Sequence, residues 1–114
     1  RHTLETKHAG IYTLGDVATI PLALGKPLPK AGVFAGAQAE VVATNIAHAV
    51  TGKGKPTTFN GDGGCFIEVG DGKAGFGQGN FYAEPVPQIK LRPPGRLWHG
   101  AKVLLEKDWL WRRL

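Results

Sequence analysis

The chain has 114 residues, a formal net charge of +5, 42% hydrophobic residues and 20% charged residues. These values describe a globular chain with one modest core and exclude wholesale disorder. A single cysteine, Cys65, excludes an internal disulfide framework, and the scattered histidines predict no metal site. The basic balance is compatible with an anionic partner, namely nucleic acid, a membrane surface or a phosphate-bearing cofactor, although charge alone favours a basic surface with no specific partner. Because no RNA-binding or helix-turn-helix pattern occurs, nucleic acid is not an expected partner.

The first predicted element is a short strand at residues 11–14, which ends at Gly15 and Asp16. In many flavoproteins a strand of this kind precedes a helix and holds the ribityl chain of FAD. The aspartate can accept a hydrogen bond from a ribityl hydroxyl, and the glycine lets a cofactor approach the backbone closely. The alternative is an ordinary turn at the end of a strand, with a solvated aspartate. No pyrophosphate-binding loop that leads from a strand into a helix is predicted, so the chain is expected to be the C-terminal piece of a larger enzyme.

A proline-rich loop is predicted at residues 17–30 and a helix at residues 33–50, with Gly52 as its stop. A helix that starts near Gly32 would direct its free N–H groups and its positive end at a ligand placed before it. Lys30 adds a cation at the same place, and its alternative is a solvated loop residue. The helix prediction rests on apolar residues that recur at three- and four-residue steps, namely Phe34, Ala37, Val41, Val42, Ile46 and Val50.

The second half of the chain is predicted to form a β-hairpin followed by a helix, which makes the fold class α+β. Two strands, residues 65–69 and 74–83, flank an Asp-Gly turn, which is a strong hairpin signal. Prolines mark an extended surface segment at residues 85–94, and residues 97–114 return to helical periodicity. This last helix is either interfacial, with tryptophans at a headgroup boundary, or a terminal helix packed on the domain. Its cations are Lys102, Lys107, Arg112 and Arg113.

Cys65 follows two glycines, Gly63 and Gly64, at the start of the first hairpin strand. Flanking glycines can expose a sulfur atom and let another group approach it, as a reactive thiol requires. The alternative is a small packed residue, because free cysteine usually behaves as a small hydrophobe. The pattern leaves both interpretations open.

Four motifs follow one another along the chain: Ile11-Tyr12-Thr13-Leu14-Gly15-Asp16, Leu28-Pro29-Lys30-Ala31-Gly32-Val33-Phe34-Ala35, Phe59-Asn60-Gly61 with Gly64-Cys65-Phe66, and Lys102-Val103-Leu104-Leu105-Glu106-Lys107. Taken in this order, they resemble the C-terminal part of the sulfide:quinone oxidoreductase and flavocytochrome c sulfide dehydrogenase flavoproteins, within the pyridine nucleotide–disulfide oxidoreductase group. The resemblance covers essentially the whole chain. It implies that residues 1–52 are the C-terminal end of an FAD-binding α/β domain, a strand plus a long helix. Residues 53–114 would form a hairpin-plus-helix domain, with FAD- and NAD-type domains upstream in the same protein.

The resemblance also implies a role for each site residue. Cys65 would be the catalytic second member of a redox cysteine pair, with its partner upstream. Phe66 and Leu105 would meet a quinone, but Leu105 departs from the aromatic residue common there, so the acceptor is either a quinone or a cytochrome. Asp16 would bind the ribityl chain, and residues 30–33 would lie at the flavin ring. The full set of residues implied to contact FAD is Gly15, Asp16, Lys30, Ala31, Gly32, Val33 and Lys102.

The function expected from these features is FAD-dependent oxidation of sulfide, or of a related sulfur donor, with electrons passed to the acceptor. The fragment alone is expected to be inactive. The resemblance implies a bacterial or archaeal protein in the cytoplasm or at a membrane periphery. Two alternatives stay open. One is an NAD(P)H-dependent quinone or disulfide reductase of the same architecture, in which Cys65 is incidental. The other is a non-enzymatic basic module that binds a membrane surface.

Overall fold

The computed structural model describes residues 1–113 and shows a mixed helix-and-sheet fold, so the α+β prediction is confirmed. Its three strands form an antiparallel sheet of order β1-β2-β3. Leu114, the end of the predicted last helix, lies outside the described residues. The elements are a 3₁₀ turn at Gly15–Val17, named the Gly15 turn, then α1 at Gly32–Thr51, β1 at Asp62–Gly70, β2 at Lys73–Asn80, β3 at Gln88–Gly95 and α2 at Arg96–Arg113.

The chain divides into two compact units. The N-terminal unit comprises Arg1–Gly63 and Asn80–Gln88, and the sheet–helix unit comprises Gly64–Gly79 and Ile89–Leu114. The first contains the Gly15 turn and α1, and the second contains most of the sheet and α2. The domain division after residue 52 that the family resemblance implies stays a prediction.

Residues 11–14 do not form the predicted strand, and that prediction is wrong. Within the described residues, the segment takes part in one isolated antiparallel bridge, between Glu5 and Tyr12. A strand persists where neighbouring strands bond its backbone over several residues. Only a short stretch around Glu5 lies beside this segment, so it stays irregular and leads into the Gly15 turn.

The helix predicted over residues 33–50 is confirmed as α1, and Gly52 ends it. Gly52 has a φ of 68° and donates its N–H to His48 O at 2.8 Å. Glycine adopts this left-handed conformation without the steric penalty that a Cβ would bring, so it satisfies a terminal carbonyl and stops the helix.

The buried face of α1 differs from the predicted apolar face. Ile46 and Val50 are 43% and 80% exposed, whereas the polar residues Gln38 and Asn45 are buried. Asn45 donates from Nδ2 to Thr57 O at 3.0 Å, and its Oδ1 accepts from Thr57 N–H at 2.8 Å. These bonds compensate the amide for its lost hydration, so a polar side chain can take a core position.

The predicted hairpin is confirmed as β1 and β2, joined by Asp71 and Gly72. These two residues have φ values of 51° and 63°. Positive φ at both central positions is the signature of a type I′ turn, whose twist matches that of the flanking strands. The glycine-rich run from Gly70 to Gly75 therefore leads from one strand into another, so it is not the start of a dinucleotide-binding helix.

The proline-rich segment predicted to be an extended surface chain contains β3. This strand lies at an edge of the sheet, beside the central β2. An edge strand tolerates proline better than a central strand, because alternate residues of an edge strand face away from the sheet and a proline there leaves no ladder hydrogen bond unmade. Helix α2 begins directly after β3, at Arg96.

The core of the N-terminal unit gathers around Phe34, which is 2% exposed in the first turn of α1. Its ring centroid lies 4.9 Å from that of Phe81 and 6.4 Å from that of Phe59, both in edge-on geometry. A Cβ added at Gly63 would lie 2.3 Å from Phe34 Cε1. Glycine at position 63 therefore leaves the space that this ring fills. The remaining buried members are Leu4, Ala18, Ile20, Leu22, Leu28, Val41, Val42 and Tyr82.

Gly63→Ala should lower the free energy of unfolding by about 1–3 kcal/mol, the usual cost of overpacking a filled core. Urea unfolding followed by circular dichroism measures it. Gly36→Ala is the matched control, since nothing lies within 4 Å of a Cβ at this exposed position of α1. That variant should gain about 0.5–1 kcal/mol from the lower backbone entropy of alanine. Equal effects of the two variants would contradict this account of Gly63.

Candidate functional site

The Gly15 turn packs directly against the first turns of α1. Gly15 has a φ of +67°, and a Cβ added there would lie 3.3 Å from Ala35 Cβ. Glycine therefore serves both the left-handed backbone and the close approach to the helix. Asp16 is exposed, and its hydrogen bond with a side chain of residues 1–112 is made by its backbone carbonyl and not by its carboxylate. The turn thus presents a free acceptor group beside the start of α1.

Gln38 attaches the turn to α1 and was missed by the sequence analysis. It is 1% exposed, and its Oε1 accepts a hydrogen bond from Gly15 N–H at 2.8 Å. Gln38 lies four residues after Phe34, so it shares the buried face of the helix. A glutamine at that spacing within an alanine-rich helix was a signal that could have been used.

Lys30 holds the other end of the turn. Its Nζ donates to Asp16 O at 2.7 Å and also bonds Ala18 O. The ammonium group therefore bonds the backbone carbonyls of the turn. The structure brings the positive charge of Lys30 to the segment that carries Asp16, and its proposed contact with a flavin stays a prediction.

The N-terminus of α1 carries no side-chain cap. Ala31 is the N-cap residue, and Phe34 N–H donates to Ala31 O at 3.0 Å. The exposed first residues of the helix, Gly32 and Val33, keep their amides available to an anion or a carbonyl. The depression between this end of α1 and the Gly15 turn has a volume of about 10 Å³, room for roughly one water molecule. A ring system would therefore lie against this surface and not inside it.

In the sheet–helix unit, Cys65 and Phe66 are neighbours on β1 and project from opposite faces of the sheet. The ring centroids of Phe66 and Phe76 lie 4.8 Å apart. The Phe76 ring stacks on that of Trp98 in α2, with 5.2 Å between their centroids. The side of β1 that carries Phe66 therefore faces α2. Cys65 lies on the other side, half-buried, with its Sγ 3.3 Å from Phe66 O.

The glycines before Cys65 have packing reasons of their own. Gly63 makes room for Phe34, as described above. A Cβ at Gly64 would lie 2.9 Å from Phe76 Cζ and 3.2 Å from Gln78 Cβ. The Gly-Gly pair is therefore explained without a reactive thiol, so the redox role of Cys65 rests on the family resemblance.

Lys102 belongs to a charge network on the α2-facing side of the sheet. Its Nζ lies 2.8 Å from Glu106 Oε1 and 3.3 Å from Glu68 Oε1, and His99 Nδ1 lies 3.0 Å from the same Glu68 oxygen. The hydrogen bond with His99 is the main cause that holds the pKa of Glu68 below its usual value. The hydrogen bonds with Glu106 and then Glu68 raise the pKa of Lys102. In this unit Lys102 is a paired cation.

The outer half of α2 exposes large apolar side chains. The partly buried residues of α2 lie between Trp98 and Val103, and every described position from Leu104 to Arg112 is exposed. Leu105, the predicted quinone contact, is 54% exposed. The most exposed apolar residues recur every seven positions, at 79%, 69% and 89% exposure, and form the α2 seam of Leu97, Leu104 and Trp111.

Two further properties hold for the part of the chain that the structure describes. Neither helix is long and apolar enough to cross a membrane. No group of three or more histidine, cysteine or acidic side chains is arranged to hold a metal ion.

Comparison of the chain with protein-family models, with curated proteins and with solved structures finds no match.

Glu68→Gln should lower the pKa of Lys102, because it removes one of the two carboxylates that stabilise the ammonium form. NMR titration of the Lys102 side chain measures the shift. Asp108→Asn is the control, since Asp108 pairs with Arg112 at 2.9 Å on the same helix. An unchanged Lys102 titration in Glu68→Gln would contradict the network.

The charge network around Glu68 also predicts how the free energy of unfolding depends on pH. The pKa of Glu68 is lowered from 4.5 in the fold. Its ion pairs therefore stabilise the fold above that ordinary value, and the contribution is lost as the pH falls through the lowered pKa. In Glu68→Gln this part of the acid dependence of unfolding should disappear.

Proposed function

We propose that this chain supplies part of the flavin site of an FAD-dependent oxidoreductase that oxidises sulfide or a related sulfur donor. A quinone or a cytochrome is the proposed acceptor, and the FAD- and NAD-type domains implied upstream complete the enzyme. The observation that carries the proposal is the Gly15 turn held against the uncapped N-terminus of α1, with a free Asp16 carboxylate beside it. The choice of a sulfur compound as electron donor and of a quinone or a cytochrome as acceptor rests on the family resemblance of the four motifs.

The residues of this surface fit the polar groups of FAD. A ribityl chain offers hydroxyl donors, and Asp16 is an exposed carboxylate that can accept from them. Gly32 and Val33 offer amides at the positive end of α1, which favours negative charge on a ring placed there. Bound FAD supplies the capacity to accept an electron pair from one substrate and release it to another. Ala31 and Lys30 complete the edge of the surface, with Lys30 fixed on the turn.

Cys65 carries the sulfur chemistry in this proposal. Hydrosulfide attacks a disulfide between Cys65 and a second, upstream cysteine. A new S–S bond forms between the hydrosulfide sulfur and one of the two cysteines, and the S–S bond between the cysteines breaks. One cysteine then carries a persulfide, and the other leaves as a thiolate. If Cys65 is only a packed residue, the flavin surface at the Gly15 turn supports the alternative function, that of an NAD(P)H-dependent quinone or disulfide reductase.

Asp16→Ala and Cys65→Ser should separate cofactor binding from sulfur chemistry in the intact enzyme. Asp16→Ala should retain less FAD after dialysis, because a charge-assisted hydrogen bond contributes about 1.5–3 kcal/mol. Cys65→Ser should keep FAD but lose bleaching of the flavin absorbance by sulfide. Glu40→Ala, at an exposed acidic position of α1, is the control for charge. Full reduction by sulfide in Cys65→Ser would overturn the sulfur mechanism, and unchanged FAD content in Asp16→Ala would overturn the flavin contact.

The exposed α2 seam favours a second candidate function, association with a membrane surface. Leu104 and Trp111 are apolar and more than two-thirds exposed, at 69% and 89%. Lys107 is an additional exposed cation on this half of the helix. Apolar burial at a headgroup boundary would supply most of the binding, and nearby cations would add about 1 kcal/mol each on anionic lipid. This association is compatible with the enzyme and with a non-enzymatic module.

Leu104→Ser combined with Trp111→Ser should therefore reduce sedimentation of the intact protein with anionic vesicles, and added salt should weaken binding of the wild type. Val50→Ser, at an apolar position of α1 that is 80% exposed, is the matched control. Equal partitioning of the double variant and the control would show that the seam does not bind lipid.

A further inference from the structure

Three peptide groups around Asp16 are held by different hydrogen bonds. Gly15 N–H is held by Gln38 Oε1 at 2.8 Å. Gly15 O accepts from Ala18 N–H at 3.1 Å, and Asp16 O accepts from Lys30 Nζ at 2.7 Å. The backbone on both sides of Asp16 is therefore restrained. Of these three bonds, the Gln38 bond is the one that connects the start of the turn to the helix that follows.

Gln38 makes this contact from a position where an apolar side chain would ordinarily lie. It is 1% exposed and shares the buried face of α1 with Phe34 and Val41. Burying an amide removes its water, and the bond to Gly15 compensates for that loss. Glycine is the residue with the greatest backbone freedom, so a hydrogen bond to its N–H removes more freedom than the same bond elsewhere.

We propose that Gln38 is a positioning residue for the cofactor, and this rests on the proposed function. Its side chain fixes the Gly15 turn on α1, so that the Asp16 carboxylate and the first amides of the helix face a bound flavin together. Asp16 and the amides of Gly32 and Val33 belong to separate segments of the chain. The Gln38–Gly15 bond sets their relative placement before any ligand binds, which lowers the ordering cost of binding.

Asn45 provides a matched comparison within the same helix. It is also a buried amide with backbone partners, since it exchanges two hydrogen bonds with Thr57. Both residues therefore contribute to folding through a satisfied buried amide. Gln38 differs in that its partner lies in the turn that carries Asp16. A change in flavin binding that occurs in Gln38 variants but not in an Asn45 variant therefore reports positioning and not general stability.

The test measures two quantities in the intact flavoprotein. The first is hydrogen exchange of the Gly15 amide, which reports the contact itself. The second is FAD affinity, measured together with the visible circular dichroism of the bound flavin. The variants are Gln38→Met, which keeps the length but removes the acceptor, Gln38→Glu, which keeps an acceptor for Gly15 N–H, and Asn45→Leu as the control.

In Gln38→Met we expect faster exchange at Gly15, an FAD Kd raised about tenfold and an altered flavin circular dichroism spectrum. Gln38→Glu should restore the protection of Gly15 and most of the affinity. Asn45→Leu should lower the melting temperature with little effect on the flavin.

Two results would overturn the positioning role. One is lost Gly15 protection with unchanged FAD affinity and spectrum, which would make Gln38 purely structural. The other is an equal loss of FAD in Asn45→Leu, which would assign the effect to general stability. If the wild-type protein binds no FAD, the proposed function fails and the cofactor role fails with it. The exchange of Gly15 in Gln38→Met still decides whether the contact exists.

Discussion

Phe34 filling the space over Gly63 is the packing constraint on which the N-terminal unit depends. The ring lies in the first turn of α1, and a Cβ at Gly63 would come within 2.3 Å of it. Because Phe34 also meets Phe81 and Phe59 edge-on, one side chain joins α1 to segments distant in sequence. Anchoring the first turn of the helix also sets the place where the Gly15 turn can pack.

The polar contacts of that region build on this packing. Once the start of α1 is fixed, Gln38 lies one turn further along the same buried face and reaches Gly15 N–H. Lys30 reaches back to Asp16 O from the loop before the helix. Asp16 is thus an exposed carboxylate on a restrained backbone, which is the property that a binding residue requires and a solvated turn residue does not.

The sheet–helix unit is organised by a different interaction, the stack of Phe66, Phe76 and Trp98 between the sheet and α2. The alternation of side chains along β1 then sends Cys65 to the opposite face. The ion pairs of Lys102 with Glu68 and Glu106 flank the stack on the α2-facing side. Cys65 and Phe66, for which the family resemblance implies roles in sulfur chemistry and quinone contact, therefore lie on opposite faces of β1.

Local physical chemistry was sufficient to predict several elements from the sequence. Gly52 ends α1 because a left-handed residue is favoured there, and Asp71-Gly72 forms a type I′ turn for the same reason. Such choices depend on a few neighbouring residues, so they can be predicted without the fold. It could also be predicted from the sequence that the segment ending at Gly15 and Asp16 is separated from α1 by a proline-rich loop. Their chemical role stays a proposal.

Contacts between distant segments decided the rest. Gln38 and Asn45 are buried because Gly15 and Thr57 supply backbone partners, which hydrophobic periodicity cannot reveal. Residues 11–14 lack the neighbouring strands that a strand needs. The proline-rich segment forms β3 because it pairs with β2 at the edge of the sheet. The sequence by itself determined where the chain turns and where its helices lie, because these preferences are local. Only the tertiary structure decided which polar groups are satisfied in the core and which glycines make room for a ring, because those depend on partners far along the chain.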